Sequence, residues 1–149
     1  MTTLKPGDKA PNFTIMNQDE KPVSLTDYAG KRVVLFFYPK ASTPGCTAEA
    51  CNLRDNIERF RESGTIILGA SADAPKAQKK FQEKYELPYD LLADTERELL
   101  NAYQVWGPKK FMGKEYDGIH RTTFVIDEQG IIADVITNVK TKDHAAQIL

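Results

Sequence analysis

The chain has 149 residues, which suffices for one domain with a buried core and leaves little room for a second. Lys and Arg number 20 against 21 Asp and Glu, so the net charge is -1 at pH 7. Charges of both signs are mixed along the chain, and no apolar run is much longer than a strand. Composition therefore argues against nucleic acid and membranes as partners, and we expect a single domain over residues 1–149.

The elements follow in chain order from apolar periodicity and turn residues. The first half is predicted to hold a hairpin (12–16 and 22–25), a buried strand (32–38), a helix (44–63) and a second buried strand (65–71). The second half is predicted to hold a helix (75–85), a strand (91–93), a helix (96–103), a hairpin (121–126 and 131–139) and a helix from about residue 143. Trp106 and the residues around Gly107, Pro108, Gly113 and Gly118 are expected to form loops.

The order of these elements predicts the fold class. Residues 32–71 form a strand–helix–strand unit, which gives a right-handed parallel crossover. The order β-α-β-α followed by β-β-α is that of a thioredoxin-like α/β domain, with a mixed central sheet flanked by helices. Here the domain would carry an extra N-terminal hairpin.

The two cysteines indicate the redox compartment. Residues 1–8 lack the apolar stretch of a secretory signal. In a chain without such a signal, a disulfide is expected to be transient and catalytic, because the surroundings are reducing. The sequence therefore predicts a cytoplasmic protein.

The start of the helix at residue 44 is the most informative segment. Thr43 is a suitable N-cap residue, Pro44 suits the first helical position, and Gly45 lets other groups approach the backbone. Cys46 then occupies the third position, where an anion meets unpaired N–H groups and the positive end of the helix dipole. Cys46 is thus placed to be a thiolate, which is the reactive form.

The second cysteine lies on another side of the same helix. Cys46 heads an apolar stripe, whereas Cys51 lies nearer the polar face. In an intact helix, residues five apart are about 140° apart around the axis, with Cα atoms roughly 8.6 Å apart. A disulfide usually needs less than about 7 Å. If these cysteines bond, the first turns of the helix must unwind.

Other interpretations of Cys46 have to be weighed. The cysteines could be merely small residues on a helix, but the Thr-Pro-Gly approach forms an anion site that such a role does not need. Neither the Cys-x-x-Cys of disulfide exchangers nor ligand spacing toward His120 and His144 is present. A cysteine hydrolase would need His120 as its base. His120 directly precedes Arg121 on a predicted strand, so only one of these two can readily face Cys46.

At these residues the chain resembles the peroxiredoxins, and among them the Q-type or bacterioferritin-comigratory-protein subfamily. The family motif Pro-x-x-x-Thr-x-x-Cys is matched by Pro39, Thr43 and Cys46, and the subfamily's second cysteine by Cys51. The family's distal arginine is matched by Arg121. Further similarity lies in segments 4–11, 105–107, 111–114 and 116–119.

The resemblance implies a thiol peroxidase without a metal or organic cofactor. Cys46 would attack a hydroperoxide and become a sulfenic acid, which then condenses with Cys51 to a disulfide. Arg121, the Thr43 hydroxyl and the N–H groups of Gly45 and Cys46 would bind the thiolate and the peroxide. Pro39 would shield the thiolate from water. The reductant would be thioredoxin or a glutaredoxin, and the protein is expected to be a monomer.

Two further expectations concern residues outside the motif. Glu49 could orient Arg54 or Arg121, but it is expected to be a solvated helix carboxylate. Trp106 could line the pocket or a contact with a second copy, but it is expected to serve packing. A non-enzymatic alternative also stays open, because a redox sensor or a thioredoxin-fold interaction module would keep the same cysteine pair. Slow recycling after a single oxidation would identify such a sensor.

Overall fold

The computed structural model describes residues 2–149, which form nine strands and five helices. The strands are β1 (Thr14–Met16), β2 (Pro22–Ser24), β3 (Arg32–Phe37), β4 (Thr65–Ser71), β5 (Asp90–Ala93), β6 (Trp106–Phe111), β7 (Lys114–Ile119), β8 (Thr122–Ile126) and β9 (Ile132–Ile136). The helices are α1 (Pro44–Asp55), α2 (Ile57–Glu62), α3 (Pro75–Lys84), α4 (Glu98–Ala102) and α5 (His144–Ile148). A short 3-10 turn covers Leu25–Tyr28.

The central sheet has five strands in the order β5-β4-β3-β8-β9. Strands β3, β4 and β5 are parallel, whereas β8 runs antiparallel to both β3 and β9. Strands β1 and β2 form a separate N-terminal hairpin. The mixed sheet and the extra hairpin confirm the fold class predicted from the order of elements.

Apolar side chains cover both faces of the sheet, because alternate residues of a strand point to opposite sides. Val34 and Phe36 of β3 face the layer that contains α1, α2, α3 and α5. Leu35 and Phe37 face the other layer, which contains α4 and the N-terminal hairpin. This double coverage explains why β3 is apolar along its length.

The predicted helix over 44–63 is wrong as one element, because it is interrupted at Asn56. Asn56 has φ -109° and ψ 15°, and its side-chain amide donates to the carbonyl of Asn52 at 2.9 Å. A side chain that bonds the backbone in this way competes with the helical hydrogen bond. The apolar stripe nevertheless continues into α2 through the buried Phe60.

The loop region predicted around Gly107, Pro108, Gly113 and Gly118 is also wrong, because β6 and β7 pair there as a two-stranded antiparallel ribbon. Pro108 lacks an N–H donor, but a ribbon of two strands leaves edges where a missing donor is tolerated. Met112 and Gly113 have φ of 51° and 80° and form the turn. The chain also enters α4 later than predicted, since Arg97 adopts a left-handed φ of 60°.

The described helices are all too short or too polar to cross a membrane.

Candidate active site

Cys46 lies where β3 ends and α1 begins. Its side chain is 1% exposed and packs in the apolar cluster between α1 and the sheet. Thr43 is the N-cap residue and Pro44 opens the helix, as predicted, so Cys46 occupies the third helical position. The sulfur therefore lies beside the N-terminal N–H groups of α1, where the helix dipole favours an anion.

Thr43 does not cap the helix with its side chain. Its carbonyl accepts the first helical bond from Thr47 at 2.8 Å, but its hydroxyl donates to the carbonyl of Lys40 at 2.8 Å. No side chain within residues 2–149 caps α1. The N–H groups of Gly45 and Cys46, which have no intrahelical partner by position, are therefore left to bind a ligand.

The guanidinium of Arg121 contacts the sulfur directly. Arg121 Nη2 lies 3.1 Å from Cys46 Sγ. The register explains the contact, since Phe37 at the end of β3 pairs with Thr122 at the start of β8. A Cβ placed on Gly45 would lie 3.4 Å from Arg121 Nη2, so Gly45 directly borders the guanidinium.

Glu49 is not the solvated carboxylate expected from the sequence. Its side chain is 0% exposed, and its Oε1 accepts a hydrogen bond from Arg121 Nη1 at 2.6 Å. Glu49 follows Cys46 by three residues, so both lie on the face of α1 that packs on the sheet. Burial acts to lower the pKa of Arg121, but the charges of Glu49 and Cys46 outweigh this effect and raise it. Arg121 therefore stays cationic between two acidic groups.

A buried histidine lies behind Glu49. His144 of α5 is 0% exposed, and its Nε2 lies 3.4 Å from Glu49 Oε2 and 2.7 Å from Thr123 Oγ1. Burial lowers the pKa of His144, and the charge of Arg121 lowers it further, whereas the hydrogen bond to Gln147 opposes both effects. No sequence signal beyond the position of α5 indicated this histidine.

We expect Glu49 to make the stability of the protein depend on pH. Burial raises the pKa of its carboxyl to about 7 from an ordinary value of 4.5, although Arg121 acts to lower it. The folded state then retains a proton that the unfolded state releases between these pH values, so stability is lost as the pH rises through them. Relative to Glu49→Gln, the wild type should lose roughly 3 kcal/mol of unfolding free energy between pH 5 and pH 8.

Urea unfolding of the reduced protein at the two pH values measures this difference. Glu58→Gln is the matched control, because Glu58 is exposed on α2 and should follow the wild type. The assignment is wrong if Glu49→Gln and the wild type change in parallel.

The loop before α1 is supported by a polar network that sequence reasoning missed. The backbone N–H of Ala41 donates to Asp73 Oδ2 at 2.8 Å, and the Ser71 hydroxyl donates to the same oxygen at 2.6 Å. Buried Gln78 donates to Ser71 Oγ at 2.9 Å and accepts a hydrogen bond from the Tyr38 hydroxyl. These contacts hold the turn in which Ser42 adopts a φ of 65°, directly before the cap of α1.

A cavity of about 320 Å³ is lined by Pro39, in the loop between β3 and the start of α1. Its lining includes Pro39, Trp106, Lys109, Tyr116 and Ile119. Burial lowers the pKa of Lys109, and the charge of Arg121 lowers it further, whereas the charge of Cys46 acts to raise it. Lys109 therefore interacts electrostatically with both Arg121 and Cys46. Pro39 is exposed at the rim of this cavity. A larger cavity, of about 530 Å³, lies at the starts of β3 and β4, at the other end of the sheet from Cys46.

Cys51 lies one and a half turns further along the same helix. Both cysteines are free, and α1 is unbroken between them. The pKa of the Cys51 thiol is raised, mainly by burial. The charge of Arg54 acts to lower this pKa, and the charge of Asp55 adds to the increase. Cys51 is therefore held as a thiol as long as α1 stays folded.

His120 does not serve as a base for Cys46. Its Nε2 lies 3.0 Å from the carbonyl of Pro108, in the β6–β7 ribbon, whereas its neighbour Arg121 takes the position at the sulfur. Over residues 2–149, no three His, Cys, Asp or Glu side chains are grouped to hold a metal ion.

Comparison with known proteins identifies the family. Residues 6–135 match the model of the AhpC/TSA family. Peroxiredoxin Bcp of Escherichia coli is 47% identical to this chain, over all of this chain and 96% of its own length. Peroxiredoxin Bcp of Bacillus subtilis is also 47% identical, over 99% of this chain and 94% of its own length. The structure of the Xanthomonas campestris bacterioferritin comigratory protein superposes with a TM-score of 0.88 at 30% identity, covering 99% of this chain and 94% of that one. The chain thus belongs to the AhpC/TSA family and is a peroxiredoxin of the Bcp type, an enzyme that acts as a thiol peroxidase.

Proposed function

We propose that this peroxidase reduces organic hydroperoxides and hydrogen peroxide through Cys46, with Cys51 as the resolving thiol. The observation that carries the proposal is the contact of 3.1 Å between Arg121 Nη2 and Cys46 Sγ at the open N-terminus of α1. A guanidinium and free N–H groups stabilise the thiolate and also the negative charge that develops on the peroxide oxygens.

The first step is the attack of the Cys46 thiolate on the terminal oxygen of the hydroperoxide. A sulfur–oxygen bond forms, the oxygen–oxygen bond breaks, and the alkoxide leaves and takes up a proton from water to become the alcohol. The N–H groups of Gly45 and Cys46 donate to the peroxide oxygens during this step. The Thr43 hydroxyl joins them by turning its single proton from the Lys40 carbonyl to the peroxide. Pro39 limits the access of water from the rim of the neighbouring cavity.

In the second step the Cys51 thiol attacks the sulfenic sulfur of Cys46. A disulfide forms and one molecule of water leaves. A dithiol of the thioredoxin type, or a glutaredoxin, then reduces the disulfide by thiol exchange and is itself oxidised. We propose that the protein acts as a monomer in the cytoplasm, without nucleic acid, membrane or cofactor.

Organic hydroperoxides are supported as substrates by the cavity that Pro39 lines. Its walls include Trp106, Tyr116 and Ile119, which offer apolar surface to an alkyl chain. The relative from Xanthomonas campestris has alkyl peroxide reduction activity.

Intact mass and a free-thiol count test the proposal. After one equivalent of hydrogen peroxide, the reduced protein should lose two hydrogen atoms and both of its free thiols within seconds. Turnover with thioredoxin and its reductase should then continue. Slow or absent oxidation contradicts the proposal, and fast oxidation without recycling favours a redox sensor.

A further inference from the structure

The contacts of Arg121 continue into the protein as a buried chain of polar groups. Glu49 Oε1 accepts a hydrogen bond from Arg121, but the other carboxylate oxygen, Oε2, makes no hydrogen bond within the described part of the chain. It faces His144 Nε2 at 3.4 Å. A fully buried carboxylate oxygen without a hydrogen-bond partner is unfavourable. The placement of His144 next to this oxygen therefore needs a physical explanation.

The hydrogen bonds of the imidazole define where its protons lie. His144 Nδ1 lies 2.7 Å from Gln147 Oε1, an oxygen that can only accept, so Nδ1 carries a proton. Nε2 is then either an acceptor in the neutral ring or a second donor in the imidazolium. Below about pH 7, where Glu49 keeps its proton, Oε2 and Nε2 thus share one proton, as carboxylic acid and imidazole or as carboxylate and imidazolium. Both forms leave the pair neutral.

This neutrality matters for the charge of the site. Arg121 contributes one positive charge and a Cys46 thiolate one negative charge, and the two balance. An unprotonated Glu49 without its histidine would add a second anion to the same guanidinium. The guanidinium would then be shared between Glu49 and the thiolate, and its position would depend on the rotamer of Glu49.

We propose that His144 is a positioning residue of the peroxide reaction, holding the Glu49 carboxyl group so that Glu49 fixes Arg121 against Cys46. The inference rests on the proposed chemistry of Cys46. It assigns a role in the active site to the C-terminal helix α5, although α5 lies outside the motif that contains the cysteines.

Helix α5 is docked by contacts that do not involve His144. The backbone N–H of Ala145 donates to Asn52 Oδ1 at 2.7 Å, and Asn52 Nδ2 donates to the carbonyl of Lys142 at 3.1 Å. Ile148 packs on the same apolar cluster as α1. Substitutions at His144 can therefore be compared with a substitution that weakens only the packing of α5.

The test uses four variants and the single-turnover rate constant for oxidation of Cys46 by hydrogen peroxide, measured by rapid quench. His144→Phe fills the site without a polar group and should react about tenfold more slowly. His144→Gln restores an amide donor toward Glu49 Oε2 and should recover most of the rate. Thr123→Val removes the hydroxyl that orients the ring and should slow the reaction by a smaller factor. Ile148→Ala should keep the wild-type rate despite a lower melting temperature.

The outcomes separate a positioning role from a structural one. A wild-type rate in His144→Phe overturns the proposal, as do rates in all four variants that simply follow their melting temperatures. If His144→Phe does not fold, a wild-type rate in Thr123→Val together with a slow His144→Gln has the same meaning. A wild-type protein that fails to react with peroxide would overturn the proposed function itself, together with this role for His144.

Discussion

Cys46→Ser is expected to abolish peroxide consumption, with a loss of about a thousandfold or more. A serine hydroxyl stays protonated at neutral pH, so Arg121 and the N-terminus of α1 would face a neutral oxygen in place of a thiolate nucleophile. The substitution replaces one buried atom and leaves the contact to Arg121 possible, since a hydroxyl can accept a hydrogen bond. The measurement is the initial rate of hydrogen peroxide consumption with an excess of reductant.

Two controls make this loss interpretable. The variant should unfold at about the same urea concentration as the wild type, which separates chemistry from folding. The matched substitution Cys51→Ser keeps the nucleophile and should still react once. A Cys46→Ser variant that retains more than a tenth of the wild-type rate contradicts the assignment of Cys46 as the nucleophile.

The cysteine helix could be predicted from the sequence because its signals are local. A cap residue, a proline at the first helical position and a following glycine fix the start of α1 within one turn. Arg121 is distant in sequence from Cys46, and only the resemblance to the peroxiredoxins predicted that it lies at the site. The structure supplies the physical reason, which is the pairing of β3 with β8.

Glu49 was misjudged although a signal was present. It lies three residues after Cys46 and four before Leu53, and both of these residues belong to the apolar stripe. Helical spacing places the carboxylate on the buried face, and this favours the alternative that Glu49 orients Arg121 over the expected solvated carboxylate. A buried acid at such a position implies a cationic partner, and Arg121 is that partner.

Other features could not be predicted from local patterns. The burial of His144 depends on the packing of the five-residue helix α5 against α1 and Thr123. The β6–β7 ribbon was missed because glycine and proline usually mark loops, and a ribbon at the surface tolerates both. The burial of His144 and the pairing of β6 with β7 both depend on tertiary contacts, which a single sequence does not show.

The proposed disulfide between Cys46 and Cys51 would require a conformational change, because both cysteines are free in an unbroken α1. Helix α1 is intact from Pro44 to Asp55, and residues five apart in such a helix have Cα atoms about 8.6 Å apart, whereas a disulfide usually needs less than about 7 Å. The first turns of α1 must therefore unwind. Glu49 and Asn52, which contact α5, lie within or next to the unwound segment. Oxidation should thus loosen α5 as well as α1.

Cys51→Ser is expected to react once with hydrogen peroxide at close to the wild-type rate and then to stop as the Cys46 sulfenic acid. Without a second thiol, neither disulfide formation nor reduction by thioredoxin can follow, so steady-state turnover should fall by about a hundredfold or more. Helix α1 should stay folded in this oxidised variant. The oxidised wild type should lose helical signal in far-UV circular dichroism and exchange amide hydrogens faster in residues 44–53 and in α5.

The comparison of the two oxidised proteins decides the role of Cys51, because both carry one oxidised Cys46 and only the wild type can form the disulfide. Mass spectrometry should show the addition of one oxygen in the variant and the loss of two hydrogen atoms in the wild type. Rapid thioredoxin-dependent recycling of Cys51→Ser would show that another thiol resolves the sulfenic acid. Unchanged circular dichroism in the fully oxidised wild type would show that the disulfide forms without unwinding of α1.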